Sequence, residues 1–353
     1  MFLALGGGGV LRWIVSKLLT IPVVLLVVVL VLVSLTSGIM DQIMMKQIEV
    51  EISRSVITNP QYANLPMEQK MKIAERMKEE LIKALGLDKP WYVKVFMYTY
   101  SLLTFKPIYA RVLTTRIIDP GSPNAYLIVF ERIPFTVVLF TTSAIVTLCF
   151  AIPLGLLAAR RPGGLIDKII STWSIFSISM PWWWVAMVMI WLFCYKWRIF
   201  PGPEYETDWT NPISVASRAA LPVITVSMMS IGVVAYRIRS ILLDVLTEDF
   251  ITTARAKGLP ENTILLRYVL RVAAPPIVTI VLLSIVLSVV SGAIITEAVF
   301  NWYGIGLLFW DAVVANDIPV VLVLVYISTL LYLLTRFMLD MLYTYLDPRI
   351  RRA

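Results

Sequence analysis

The chain has 353 residues, 59% hydrophobic and 15% charged, with a net charge of +8 and no histidine. Soluble domains average roughly 45–50% apolar and about 25% charged residues, so this composition excludes a disordered chain, a nucleic-acid-binding module and an ordinary soluble enzyme. The missing histidine excludes imidazole bases, triads and His-ligated metals, and what remains is a polytopic membrane protein whose basic excess belongs in cytoplasmic loops.

The first uncharged run, Leu18 to Met40, exceeds the roughly 20 apolar residues that cross a hydrocarbon core. A secretory signal is the competing reading. The run is longer than a signal's apolar region, and no small-residue cleavage box follows it. Residues 1–40 are therefore expected to form a cytoplasmic N-terminus and first span.

Residues 41–131 read as an extracellular, largely helical insertion between the first two spans. From Asp41 to Asp119 they carry twelve Lys or Arg and nine Asp or Glu. Loops this long escape the positive-inside rule. The best element is a helix over 67–85, with Met67, Met71, Ala74, Met77, Leu81 and Leu85 at helical spacing. Pro66 suits its start and Gly86 its end, and Glu68 with Lys72 forms an i,i+4 pair. This stripe reads either as a cap packed on the spans or as a docking surface for an external partner; a membrane-surface helix is a third reading.

Residues 132–353 supply five further apolar runs: Ile133 to Ala159, Ile169 to Tyr195, Ala219 to Tyr236, Val272 to Thr296, and Ile318 to Thr335, the last continuing to Leu346. Cys149 and Cys194 lie inside them and read as small buried hydrophobes. Arg160, Arg161 and Lys168, the six basic residues from Arg237 to Arg271, and Arg349, Arg351 and Arg352 all fall on one side of a six-span chain. Both termini are thus expected in the cytoplasm of a cell-membrane protein.

Within the spans, Pro181 frees backbone groups near the middle of the third run, and Trp182, Trp183 and Trp184 follow it. This is either a structural kink or part of a pathway. Ser284, Ser288, Ser291 and Gly292 share one face of the fifth run, for close helix packing or for a polar passage. Glu297, just beyond it, reads as a gate residue or a rim carboxylate. Arg336 and Asp340, four apart, are expected to form a structural ion pair. With few intramembrane acids and no acidic relay, a proton-coupled carrier is disfavoured, and no metal site is expected.

The loop 244–271 is longer than a connector needs. It reads as two short helices parted at Gly258-Leu259-Pro260. Ala254, Ala256 and Gly258 allow close approach of another surface, and Arg255 and Lys257 flank them with positive charge. Residue chemistry leaves two readings open: insertion into a groove of a cytoplasmic partner, or an amphipathic helix on anionic lipid.

Thr253-Ala254-Arg255-Ala256-Lys257-Gly258-Leu259, followed by Leu265 to Arg271 and Pro276, resembles the cytoplasmic coupling loop of binding-protein-dependent ABC importer permeases, and more narrowly the dipeptide/oligopeptide/nickel branch. Further matches occur in order: Leu87-Asp88-Lys89-Pro90, Glu131-Arg132-Ile133-Pro134, Pro153-Leu154-Gly155, Ser179-Met180-Pro181, Thr296 to Phe300 with Gly304-Ile305-Gly306, and Leu346 to Ile350. Together they cover roughly residues 85 to 352. Thr252-Thr253-Ala254 replaces the general Glu-Ala-Ala, Tyr268 replaces the usual histidine, and Phe135 stands in the family's Pro-Asn-Thr.

The resemblance implies a type I ABC importer permease fold with six transmembrane helices. It implies a second homologous permease subunit, two cytoplasmic ATPase subunits, an extracellular solute-binding protein and surrounding lipid. Thr253 to Leu259 would seat in an ATPase cleft. No Gly-x4-Gly-Lys-Ser/Thr phosphate loop occurs in the chain, so ATP and Mg would be used by the partners and no cofactor is expected here. Peptides are the expected cargo, with oligosaccharides as the alternative and nickel the least suited. A self-sufficient secondary transporter and a membrane scaffold are the competing classes.

Overall fold

A computed structural model describes residues 8–58, 66–84, 88–110, 112–290 and 294–346. Among them the regular structure is helical, apart from one β-bridge between Tyr109 and Asn124. Helix α1 (Gly8–Thr58) runs unbroken for 51 residues, about 77 Å at 1.5 Å per residue, against roughly 30 Å of hydrocarbon. The apolar run therefore ends where the environment changes, not where the helix stops. Leu25, Val29 and Val33, one turn apart, bury in a cluster with Leu102, Ile128 and Val323.

Beyond the apolar run, Ile48, Ile52 and Val56 of α1 pack on Ile73, Ala74 and Ile82 of α2 (Met67–Ala84). Lys78 pairs with Glu49 at 3.4 Å, and Lys94 of α3 (Trp91–Leu103) pairs with Asp41. Of the expected stripe Ala74 packs, together with Ile73 and Ile82, and α2 lies on the extension of α1 rather than on the spans through its methionines. Met67, Met71, Met77 and Leu81 stay exposed. The expected Glu68–Lys72 pair forms at 3.6 Å, while Leu85 and Gly86 lie outside the described residues.

Helices α4 (Ala125–Arg160) and α7 (Pro212–Leu246) form the centre. A Cβ on Gly155 would stand 2.9 Å from both the Ala235 carbonyl oxygen and Ile238 Cβ, so glycine sets the closeness of the two axes. Ser227 Oγ donates across the same seam to the Ser143 carbonyl at 3.1 Å. Buried Cys194 joins this core, whereas Cys149 is exposed on the outside of the bundle, against the expectation of burial.

The third apolar run is not one straight helix. α5 (Leu165–Ser179) and α6 (Trp182–Ile190), the latter continued by a π-turn Trp191–Lys196, meet at 99°. Pro181 disfavours helical geometry at the preceding residue, and Met180 is extended at φ −88°, ψ 131°. Among the described residues five helices are thus long and apolar enough to cross a membrane, or six if the bent pair counts as one span.

The chain then forms α8 (Asp249–Ala256), α9 (Glu261–Thr263) with a π-turn Ile264–Val269, and α10 (Leu270–Val290). It ends with α11 (Ile294–Phe300), α12 (Ile305–Val314) and α13 (Ile318–Leu346). One end of the bundle carries 161–164 and the α8 loop. The other carries the irregular segments 104–110, 112–124, 197–211 and 301–304.

Candidate coupling loop and outer cavity

The sequence around Gly258 closes α8 as a Schellman motif. The Gly258 N–H donates to Arg255 O at 2.9 Å, and the Leu259 N–H reaches back to Ala254 O at 3.4 Å. Gly258 sits at φ +74°, the left-handed region that glycine enters without a Cβ penalty. Arg255 Nε donates to Glu261 Oε1 at 2.8 Å across the turn. The turn splits the seven expected coupling residues. Ala254 is buried, and Leu259 packs with it beside Ile251, Ile264, Leu242 and Ala158. Thr253, Arg255, Ala256, Lys257 and Gly258 are exposed, and a Cβ on Gly258 would meet nothing within 4 Å.

The same apolar cluster joins α8 to the ends of α4, α5 and α7. An ion pair reinforces it: Arg239 Nη2 of α7 donates to Asp167 Oδ2 of α5 at 2.8 Å, while Asp167 also accepts the Gly163 N–H at 2.7 Å. The root of α8 and the adjoining ends of α4, α5 and α7 thus share one packed cluster and one ion pair. Sequence reasoning missed this pair, because no periodicity relates residues 72 apart.

The other expected residues scatter. Pro181 marks the 99° bend, and Trp182, Trp183 and Trp184 point outward and are exposed. Ser291, and the side chains of Ser284, Ser288 and Asp340, lie outside the described residues; Arg336 approaches the Tyr332 hydroxyl at 3.5 Å. Glu297 is fully buried rather than a solvent-facing rim carboxylate.

At the opposite end, two buried carboxylates, Glu131 and Asp317, hold irregular backbone, and a third, Glu297, holds the first turn of α12. Glu131 accepts the Arg116, Ile117 and Ile118 N–H groups at 3.0, 2.9 and 2.9 Å. Asp317 accepts those of Val112 and Leu113 at 2.8 and 3.0 Å. Glu297 accepts those of Gly306 and Leu307 at 2.7 and 3.2 Å. Buried backbone donors must find acceptors, and anions are the strongest available.

These anchors frame a cavity of about 320 Å³ lined by Arg116, Arg132, Glu204, Trp209, Tyr303 and Asp311, among others. The Tyr195 hydroxyl donates to Glu204 Oε2 at 2.7 Å and holds that carboxyl below the ordinary carboxylate range. Burial pushes the Tyr303 phenol up to about 12, and its hydroxyl donates to Glu131.

Residues 151–352 match the model of the binding-protein-dependent transport system inner membrane component family. The chain belongs to that family. The oligopeptide transport system permease protein AppB of Bacillus subtilis (strain 168) is 33% identical over 79% of this chain and 86% of its own length. The probable D,D-dipeptide transport system permease protein DdpB of Escherichia coli (strain K12) is 31% identical over 78% and 84%. A chain of the MetNI methionine ABC transporter, in an inward-facing conformation, aligns at TM-score 0.47 and 19% identity, covering 63% of this chain and 97% of that one. The matched stretch of the permease begins in the second half of α4 and includes the bent pair, α8 and its Schellman turn, and the Glu297 anchor. It is a multi-pass inner membrane component of a binding-protein-dependent transporter.

Proposed function

We propose that this permease forms half of the translocation pathway of an ABC importer for peptides. The names of its relatives support the cargo: an oligopeptide and a dipeptide permease are each over 30% identical across more than three quarters of the chain. It works beside a second permease, with two ATPase subunits in the cytoplasm and a solute-binding protein outside. The chain crosses the membrane six times, α5 and α6 together making the third crossing, and both termini are cytoplasmic.

One observation carries the mechanism. The turn at Gly258 presents Thr253, Arg255, Ala256, Lys257 and Gly258 outward while Ile251, Ala254 and Leu259 are rooted in the core that ends α4 and α7. An ATPase cleft gripping the outward face moves the root with it. ATP, bound with Mg in the partners, then biases the permease between two access states through contacts that differ between them.

The test is reconstitution. A tagged chain extracted in mild detergent should bring a second permease and an ATPase in stoichiometric amounts. Proteoliposomes of that assembly should take up labelled peptide only with ATP at the α8 face and binding protein at the other. Uptake by this chain alone, driven by an ion gradient, refutes the proposal.

A further inference from the structure

The outer cavity contains two arginines in opposite states. Arg218 is fully engaged: its guanidinium donates to the carbonyl oxygens of Gly202, Pro203 and Phe300. Arg132 is not. It is 4% exposed, lies on the Tyr303 ring 3.3 Å from the centroid, and has no acceptor for Nε or Nη1. The adjacent Glu131 is already committed to three backbone N–H groups and the Tyr303 hydroxyl. Stacking on an aromatic ring satisfies the face of a guanidinium and leaves its edge of donors unmet. A buried charge left in that condition is destabilising until an acceptor arrives.

A guanidinium with N–H groups lacking acceptors pairs readily with a carboxylate. The cavity offers the complementary charge as well, in the half-buried Asp311. Trp209 and Tyr303, stacked with centroids 5.3 Å apart, give it an apolar wall. Its volume of about 320 Å³ is at the small end of ligand pockets, roughly 300–1,000 Å³. It lies at the end of the bundle away from α8, where cargo enters in an importer.

We propose that this cavity is a subsite for a short zwitterionic peptide, with its free C-terminal carboxylate on Arg132 and its α-amino group toward Asp311. The choice of ligand rests on the peptide reading above. A free carboxylate and a free amine are shared by all unmodified peptides, so such a site admits peptides without reading their side chains.

The assembled transporter in nanodiscs, without binding protein, is tested with labelled trialanine. Wild type should bind it saturably, with trialanine amide competing at least about tenfold more weakly, as for loss of one charge-assisted pair. Arg132→Gln should weaken trialanine binding by a similar factor and leave amide binding unchanged, which also verifies its fold. Equal competition by acid and amide, an unchanged Arg132→Gln affinity, or no saturable binding in wild type overturns the site. If Arg132→Gln does not assemble, Asp311→Asn decides. It should erase the preference for free over N-acetylated trialanine, and a preserved preference overturns the site. ATP-driven uptake is scored separately. Carboxylate-dependent binding without uptake supports the site and refutes the transport reading; uptake without such binding refutes the site alone.

Discussion

Thr136 of α4 and Glu297 of α11 meet in the buried interior through a 2.8 Å hydrogen bond from the threonine hydroxyl to Oε1. Together they cap α12. The Ile305 N–H donates to Thr136 Oγ1 at 2.8 Å, and the Gly306 and Leu307 N–H groups donate to Glu297 Oε2. Gly304 precedes the helix and has no side chain to cap it, so the first-turn donors are satisfied from two other helices.

The pair therefore acts as a unit. Glu297→Ala should lower stability by about 3 kcal/mol and Thr136→Val by about 1 kcal/mol. Thermal unfolding of the purified permease should show a double mutant less destabilised than the sum. Strict additivity would contradict the shared cap.

Gly258 makes two demands that separate by substitution. Gly258→Ala strains a φ of +74° and should cost about 1 kcal/mol. Gly258→Trp should insert and assemble yet abolish peptide uptake while ATP hydrolysis continues. Measured uptake at the wild-type rate in that variant removes the docking role of the turn.

At Gly155, a side chain runs into Ala235 O and Ile238. Gly155→Leu should push α4 from α7 and cost about 1–3 kcal/mol through overpacking. A melting temperature equal to wild type would show that the seam tolerates the added volume.

The Asp167–Arg239 pair ties α5 to α7 beside the α8 loop. Asp167→Asn and Arg239→Gln should each loosen this end, with a coupling of about 1–2 kcal/mol in a double-mutant cycle. Proteolysis within residues 247–263 should accelerate in both single variants, and unchanged cleavage kinetics argue against the tie.

How far the chain could be read in advance follows from where its signals lie. The Gly258 turn was legible because a Schellman motif spends its requirement on one residue. The bend at Pro181 was marked by a proline in an apolar run, though its 99° angle was not. The packing face of α2 is only partly legible: both its faces carry apolar residues, and contact with Ile48, Ile52 and Val56 selects Ala74 of the expected stripe together with Ile73 and Ile82. Glu131, Asp317 and Arg132 gave no spacing signal. Beyond the family resemblance of Glu131-Arg132-Ile133-Pro134, their mark was being ionisable at the edge of a span with no i,i+4 partner.

The sequence by itself determined a multi-pass helical permease, the ends of its apolar runs and the turn that closes α8. Each is a local demand, made by the bilayer on consecutive residues or by φ on a single glycine. Tertiary structure alone decided that Glu297 caps α12, that Asp167 ties α5 to α7, and that Arg132 is buried without an acceptor. Those outcomes depend on which groups meet after folding, over separations from 9 residues between Glu297 and Gly306 to 161 between Glu297 and Thr136, where no local pattern constrains them.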